Sequence, residues 1–572
     1  MSLPISKHID FFDHQLLEME NERRAYMRTP VRNLWKDGKL FIGRIWGFDK
    51  VRGQLIIRFK NGRLPRLKVP YQMCLISSTA GTIPDEWFFS YDNFRQKHSK
   101  INSKITPVYF MKPEGQWRYQ GCNQISSEFL SAINNDLENS KHPMVIIAEE
   151  DPPFRYLENL KKFVFSNPNN KILNLDVDLN PANWNPFILP KHDILADYVL
   201  KLIEKQPITI IQGPPGTGKT YLVSQICESF LKASKSVCVT TLTNKTLTEI
   251  AKEKPLTFLL NSGRISKRNL SLDEMRNIPN LHQAKDTTAI PGEMILSTYF
   301  LLSDEINELE GKSKKFDLII IEEASQAYLA TIAAFIELGV KVLVVGDPMQ
   351  LYPIVLEEEI CSLIHPKINL AIKGLQTFAY SNVDISCIIK DTYRLTKKAA
   401  SQTGVFYNNQ LESVSPLNEK KLITTKYSEL ICSEGGTSVI KYALISKTNE
   451  YINMAVKIAI DIQEKNENFE IAILSNLKRT VELIYDEIFN LEGNLDQFTI
   501  ETIDRIQGLT CDVCIVILED KIHFGLQQNR FNVATSRAKR GTIILTRSII
   551  NDLKGISPNV QQFINQSKTI TN

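Results

Sequence analysis

The segment PITIIQ, followed by Gly213, Pro214, Pro215, Gly216, Thr217, Gly218, Lys219 and Thr220 and then by YLVSQICESFLKA, constrains this chain more than any other. It reads as an apolar strand, a glycine-rich turn and a helix. Glycines in such a turn let backbone N–H groups close around phosphate oxygens at a helix amino terminus. Lys219 can reach the β and γ phosphates, and the Thr220 hydroxyl can coordinate Mg2+. The context predicts a nucleotide site with Mg2+. From about residue 195 onward the same grammar repeats in ITIIQG, SVCVTTL, FDLIIIEE, KVLVVGD, EIAILS and DVCIVIL, with amphipathic helices between. That alternation predicts an α/β fold of parallel sheets covered by helices. The length of 572 residues, with 43% apolar side chains and only 25 Gly and 25 Pro, excludes a single small module and a disordered or fibrous chain.

Chemistry gathers at the carboxyl ends of these strands, where open α/β sheets bind ligands. FDLIII runs into Glu322 and Glu323. Adjacent carboxylates there can divide the work of phosphoryl transfer to water, one holding Mg2+ and the next orienting or deprotonating the water. Taken alone, the pair would equally serve as an acidic cap for the next helix. KVLVVGDPMQL places Asp347 and Gln350 after another strand, Gln350 within range of a γ-phosphate. Arg394 beside Tyr393, and Arg537 in NVATSRAK, are suited to neutralise transition-state charge from across a cleft, although each singly reads as a surface salt-bridge residue.

The front of the chain differs. Residues 1–80 carry 15 Lys or Arg against 7 Asp or Glu, while the whole protein is only +4. Residues 5–28 space Ile9, Phe12, Leu16, Met19 and Ala25 as an amphipathic helix does. Between Gly38 and Ile76, KLFIGRIWGF, QLIIRFK and RLKVPYQMCLI alternate with turn signals, predicting a small antiparallel barrel or sheet. Residues 28–68 hold 12 basic and 2 acidic side chains interleaved with Trp35, Phe41, Trp46 and Phe59. Such a mixture contacts single-stranded nucleic acid, or is a charged exterior over an aromatic core.

Nine scattered cysteines suit a reducing compartment, cytoplasmic or nuclear. The single CxxC, Cys511 to Cys514, lies in a strand-like run in which residues three apart face opposite sides, so a metal site is not expected. MSLPISKHIDFFDHQ has neither the basic nor the apolar region of a signal peptide. Ala327 to Val345 is apolar but interrupted by Glu337, Gly339 and Lys341, which suits a helix followed by a buried strand rather than a membrane span.

GPPGTGKT, EEASQ, GDPMQL, DTYRLTKKAASQTGVFYNNQL, IDRIQGLTCD and NVATSRAKRG stand in the order shown by superfamily 1 helicases. The set resembles the superfamily 1B branch of the nonsense-mediated-decay RNA helicase, senataxin and the immunoglobulin-mu-binding helicase, with a QG motif closer to RecD-like and Pif-like helicases. The resemblance implies two RecA-like domains at 191–385 and 386–572. Ahead of them it implies a stalk helix and basic β-barrel at 1–120, and a helical stalk return and linker at 121–190. It further implies an ATP-dependent, monomeric motor moving 5′ to 3′ on single-stranded RNA or DNA, with no membrane partner and room for protein partners. Outside that reading stand an ATPase clamp or remodeller without unwinding, and a nucleotide-dependent scaffold subunit. Carried over by position, Thr220 and Glu322 hold Mg2+ and Glu323 is the base. Gln350, Arg394 and Arg537 surround the γ-phosphate, Tyr393 stacks on the base, and Gly508 belongs to the nucleotide site. Thr241, Thr243, Asn244, Thr298, Thr502 and Gln507 line the strand channel, where Thr and Asn at strand ends also serve as plain caps. The chain departs from the family pattern at Glu322, usually Asp, at Thr510, where an acidic ribose ligand is usual, and near His192 and Asp193, where a Gln reads adenine.

Overall fold

The computed structural model describes residues 2–571 except 61–63, 68, 78–83, 180–183, 309–313, 416–422, 443–447, 491–497, 520–521 and 548–553. It opens on the stalk helix Ile5–Arg28, which ends at Thr29, where the following Pro30 disfavours helical backbone and ψ is 135°. Its buried stripe is Phe11, Phe12, Gln15 and Met19, flanked by Ile9 and Leu16, while Ala25 is exposed. The stalk helix packs on the helix Phe154–Ser166. Phe11 and Phe12 set their rings edge-on to Tyr328 at 5.7 and 5.8 Å. Gln15 grips the Leu356 backbone from both sides, donating to its carbonyl and accepting from its N–H at 2.9 Å each.

The strands β1 (Leu40–Asp49), β2 (Gln54–Lys60), β3 (Tyr71–Ile76), β4 (Ser99–Glu114), β5 (Trp117–Asn123) and β6 (Met144–Ala148) form a closed antiparallel barrel in the order β1-β2-β5-β4-β3-β6. This moves the expected boundary at residue 120, which cuts β5. Residues 121–148 complete the barrel, with the helix Ser127–Glu138 between β5 and β6 capping its core, and the return helix Phe154–Ser166 comes only after β6. The reason is closure: the short apolar run MVIIA pairs with both β1 and β3, satisfying two edges that would otherwise be open.

The first α/β domain is a parallel sheet of β7 (Phe187–Ile188), β8 (Ile208–Gln212), β9 (Val237–Thr241), β10 (Ile265–Arg268), β11 (His282–Ala284), β12 (Met294–Thr298), β13 (Phe316–Ile321), β14 (Gly339–Gly346) and β15 (Ser386–Ile388). Their order is β11-β10-β12-β9-β13-β14-β8-β15-β7. β7 and β15 lie outside the expected limits 191–385, because β15 pairs with β8 before the chain leaves the sheet. Period-2 alternation divides the sheet between two cores. Ile211, Val239, Ile320 and Val345 face one, and Ile210, Cys238, Ile319, Ile321 and Val344 face the other. Residues Ala327 to Val345 form the buried helix Leu329–Ile336 and the central strand β14. No helix among the described residues is long and apolar enough to cross a membrane.

A two-stranded ladder of β16 (Asp391–Thr392) and β17 (Glu412–Ser413) leads into the second α/β domain. That domain is a parallel sheet of β18 (Thr437–Tyr442), β19 (Ile471–Ser475), β20 (Phe498–Thr502), β21 (Cys511–Leu518), β22 (Ala538–Arg547) and β23 (Lys568–Thr571), ordered β20-β19-β21-β22-β18-β23. Five adjacent strands of the first sheet thus end side by side at Thr298, Thr241, Ile321, Gly346 and Gln212.

The stalk carries a pH-sensitive contact. His8 is fully buried, its Nε2 3.1 Å from the Leu173 carbonyl oxygen, and burial lowers its pKa to about 4 despite that hydrogen bond. The unfolded chain therefore takes up this proton first as pH falls. Stability present above pH 6.5 is lost progressively down to about pH 4, by up to about 3 kcal/mol. Thermal melts of wild type and His8→Gln between pH 7 and pH 4 are expected to converge as pH falls. Parallel curves would contradict this assignment.

Candidate nucleotide site and strand surface

The phosphate loop follows β8, with Gly216 and Gly218 at φ 75° and 77°, a backbone region open to glycine at little cost. Gly216 also faces the second domain. A Cβ there would lie 2.3 Å from that of Arg394. The Tyr393 N–H donates to the Gly216 carbonyl at 2.8 Å, and the Thr392 hydroxyl donates to Pro215 O at 2.8 Å. Lys219 folds back along the loop, its Nζ donating to Gly213 O at 2.5 Å, and Thr217 Oγ1 donates to Pro214 O at 2.9 Å. Thr220 stands beside Lys219 at the helix start.

The neighbouring strand ends bring the acids. Glu322 is buried, and its Oε2 has no hydrogen-bond partner among the described residues. The Tyr299 hydroxyl fixes its backbone, donating to Glu322 O at 2.6 Å. Glu323 adopts φ 53°, unusual for a residue with a side chain and a conformation that concentrates at functional sites. Gly508 of the second domain, at φ 80°, approaches so closely that an added Cβ would lie 3.3 Å from Glu323 Oε1. Asp347 accepts from Met349 N–H at 3.0 Å, Gln350 Nε2 at 2.8 Å and the Tyr407 hydroxyl at 2.7 Å.

The arginines arrive from the far side. Arg537 is 1% exposed and donates to Val533 O at 2.9 Å and Gln350 Oε1 at 3.5 Å, and Arg394 donates to Ser536 O at 3.2 Å. A cleft of about 470 Å3 is lined by Lys219, Thr220, Glu322, Glu323, Gln350, Tyr393, Arg394, Gly508 and Arg537. Burial dominates its electrostatics. It lowers Lys219 against the pull of Asp347 and Glu322, takes Arg394 down to about 9 with help from Arg537, and lowers Arg537. Burial also raises Glu322 well above the usual carboxylate range, with Glu323 adding to it, and raises Glu323 and Asp347. Three desolvated cations converge on one cleft, an arrangement that a polyanion would stabilise. The oxygen-only pair of the Thr220 hydroxyl and the unpartnered Glu322 carboxylate fits Mg2+, which takes one or two carboxylates and keeps its remaining positions for water and phosphate.

The strand-side residues divide. Thr241 and Thr298 end the adjacent strands β9 and β12. Thr243 caps the following helix, accepting from Thr246 N–H at 3.3 Å, and Asn244 begins that helix. Thr502 ends β20 in the other domain. Gln507 lies in the nucleotide cleft instead, its Nε2 donating to Ser325 Oγ at 3.0 Å, because the turn at Gly508 directs this segment toward Glu323. In the basic barrel Phe41 and Phe59 enter the core while Trp35 and Trp46 stay outside. The Arg58 guanidinium lies between Trp46 and Trp117, 4.1 and 4.2 Å from their ring centroids.

Cys511 and Cys514 do not face opposite ways. Both thiols enter one core, strict alternation being broken where the β21–β22 register shifts between Cys511 and Val513, and contact with Cys511 together with burial raises Cys514 well above the usual thiol range. No metal-ligating cluster occurs among the described residues.

Sequence reasoning missed Tyr407 and Asn532. Asn532 Nδ2 donates to the Tyr407 hydroxyl and to Met349 O, both at 2.8 Å, extending the Asp347 network into the second domain. Both residues stand inside quoted motifs, VFYNNQ and NVATSRAK, but neutral polar side chains gave no charge signal.

A family model described as an AAA domain matches residues 198–355, and a second, also described as an AAA domain, matches residues 375–548. The DNA replication ATP-dependent helicase/nuclease dna2 of Schizosaccharomyces pombe is 24% identical over 58% of this chain and 26% of its own length. Regulator of nonsense transcripts 1 of Caenorhabditis elegans is 24% identical over 62% of this chain and 38% of its own. These matches support a superfamily 1 helicase similar to the Upf-like group. An uncharacterized ATP-dependent helicase of Methanocaldococcus jannaschii is 26% identical over 44% of this chain and 38% of its own length. The chain thus spans well under half the length of these curated relatives. The matched region carries two tandem RecA-like domains and the cleft between them.

Tyr407→Phe deletes the hydroxyl that Asp347 and Asn532 share. It is expected to lower stability by about 1–3 kcal/mol, read as a reduced denaturant midpoint. An unchanged midpoint would show that this hydroxyl does not join the domains.

Proposed function

We propose that the protein is an ATP-driven translocase and helicase on single-stranded nucleic acid, moving 5′ to 3′. The observation that carries this reading is the convergence of Lys219, Arg394 and Arg537, from two domains, on one buried cleft beside Glu322 and Glu323. ATP would lie between the domains, its triphosphate in the backbone N–H groups of residues 213–220 and its base against Tyr393, whose pKa is raised by burial and then by Asp391 and Asp193. Lys219 would leave the Gly213 carbonyl for the phosphates. Thr220 and Glu322 would hold Mg2+, which supplies charge neutralisation at the phosphate oxygens. Glu323 would orient water and take its proton at the carboxylate, and Gln350 would relay the state of the γ-phosphate to Arg537 through their existing contact. Closure and reopening of the cleft would shift Thr502 relative to Thr241 and Thr298, so that the grip on a strand alternates. Nine cysteines, all unpaired and buried, support a reducing intracellular setting.

ATP hydrolysis by the purified protein, alone and with single-stranded RNA or DNA, tests the reading beside a duplex-unwinding assay. Stimulation by one polymer together with strand separation is the expected result. Stimulation without separation would replace the helicase by a clamp, and indifference to both polymers would favour a scaffold. Lys219→Ala is expected to abolish hydrolysis. Glu323→Gln is expected to lower kcat at least about 100-fold while ATP still binds. Unimpaired rates in both variants would overturn the site assignment.

A further inference from the structure

The barrel and the two α/β domains are joined pairwise. The barrel meets the first domain where the Gln124 N–H donates to Asp273 Oδ1 at 2.8 Å and where Arg276 donates to the Lys50 carbonyl and lies 5.6 Å over the Phe48 ring. The two α/β domains meet through Asn532 on Met349 and Gln507 on Ser325. A third contact completes the circuit. Arg66, between β2 and β3, reaches Glu501 on β20, guanidinium to Oε1 at 3.5 Å, with side-chain exposures of 15% and 7%. Phe110 of the barrel sets its ring 6.4 Å from that of Tyr485, which itself donates to Ile500 O at 3.3 Å. The other Glu501 oxygen accepts from the Thr502 N–H at 2.7 Å.

The pair therefore sits one residue from an expected strand contact and belongs to the domain that the cleft would move. A cavity of about 890 Å3 lies where the stalk and both α/β domains meet, lined among others by Met19, Phe300, Tyr352, Asp504 and Arg530. Asp504 is only two residues beyond Thr502 in the chain.

We propose that Arg66 and Glu501 form a clasp that closes the barrel onto the second domain around a bound strand, so that the protein accepts single strands by a free end and excludes single-stranded circles. The proposal rests on the strand-translocase reading. A strand encircled by three joined bodies enters by threading or waits for the weakest junction to open. The other two junctions use backbone groups or several side chains, whereas the charged contact of this one is the Arg66–Glu501 pair, beside the Phe110–Tyr485 rings. Removing either charge leaves the other buried and unpaired, which pushes the junction open.

The test compares association and dissociation of a linear oligonucleotide and a covalently closed circle of equal length and composition. The wild type is expected to take up the circle at least about tenfold more slowly than the linear strand. Arg66→Ala and Glu501→Gln, the latter retaining an acceptor for the Thr502 N–H, are expected to bring the circle toward the linear rate and to shorten residence on the linear strand. Joining Arg66→Cys to Glu501→Cys with a short bis-maleimide is expected to abolish uptake of circles while linear strands still thread, the native thiols being buried. Equal uptake of both forms by the wild type, or undiminished uptake of circles by the cross-linked protein, overturns the clasp alone. Binding of neither form overturns the strand reading and the clasp with it.

Discussion

Three cations held out of water, Lys219, Arg394 and Arg537, are the constraint on which the rest of this structure depends. Burying like charges together is costly, and the fold offsets the cost with the carboxylates of Asp347 and Glu322. Those carboxylates are themselves desolvated, and Glu322 keeps one oxygen without a partner. The balance changes when a polyanion enters. Because Lys219 stands on the first domain and Arg537 on the second, the same event changes the attraction between the domains. The parallel sheet extends its reach: β14, β13, β9 and β12 are neighbours, so a shift near Asp347 and Glu322 lies a few strand spacings from Thr241 and Thr298.

The front of the molecule transmits that motion differently. Gln15 clamps the stalk to Leu356, just beyond the loop that follows Asp347, and Phe11 and Phe12 pack on Tyr328, just beyond Glu323. The stalk is thus anchored behind the strand ends that carry Glu322 and Asp347, and the barrel joins the first domain through Gln124 and Arg276. Its Arg66 faces the second. The barrel thus touches both domains, the second through Arg66 on Glu501 and Phe110 on Tyr485.

The nucleotide half of the molecule was legible because its chemistry needs local spacing: glycines, Lys219 and Thr220 within eight residues, and Glu322 beside Glu323 at a strand end. What depended on tertiary register was hidden. MVIIA closes the barrel only because β1 and β3 present two open edges, and nothing in five apolar residues announces this. Gln507 turned toward Ser325 because of the positive φ at Gly508. The facing of Cys511 and Cys514 depended on an irregular register between β21 and β22, which breaks the alternation between Cys511 and Val513. Tyr407 and Asn532 act through neutral hydrogen bonds between segments 125 residues apart, a distance at which periodicity carries no information.

The central claim is that one buried cleft couples nucleotide to strand. The affinity for a linear single strand, measured with and without a non-hydrolysable ATP analogue, tests it directly, because linkage requires each ligand to change the other's affinity by the same factor. The account predicts a several-fold change in strand affinity, matched by an equal change in analogue affinity and absent in Arg537→Ala. Strand affinity indifferent to a bound analogue would contradict it.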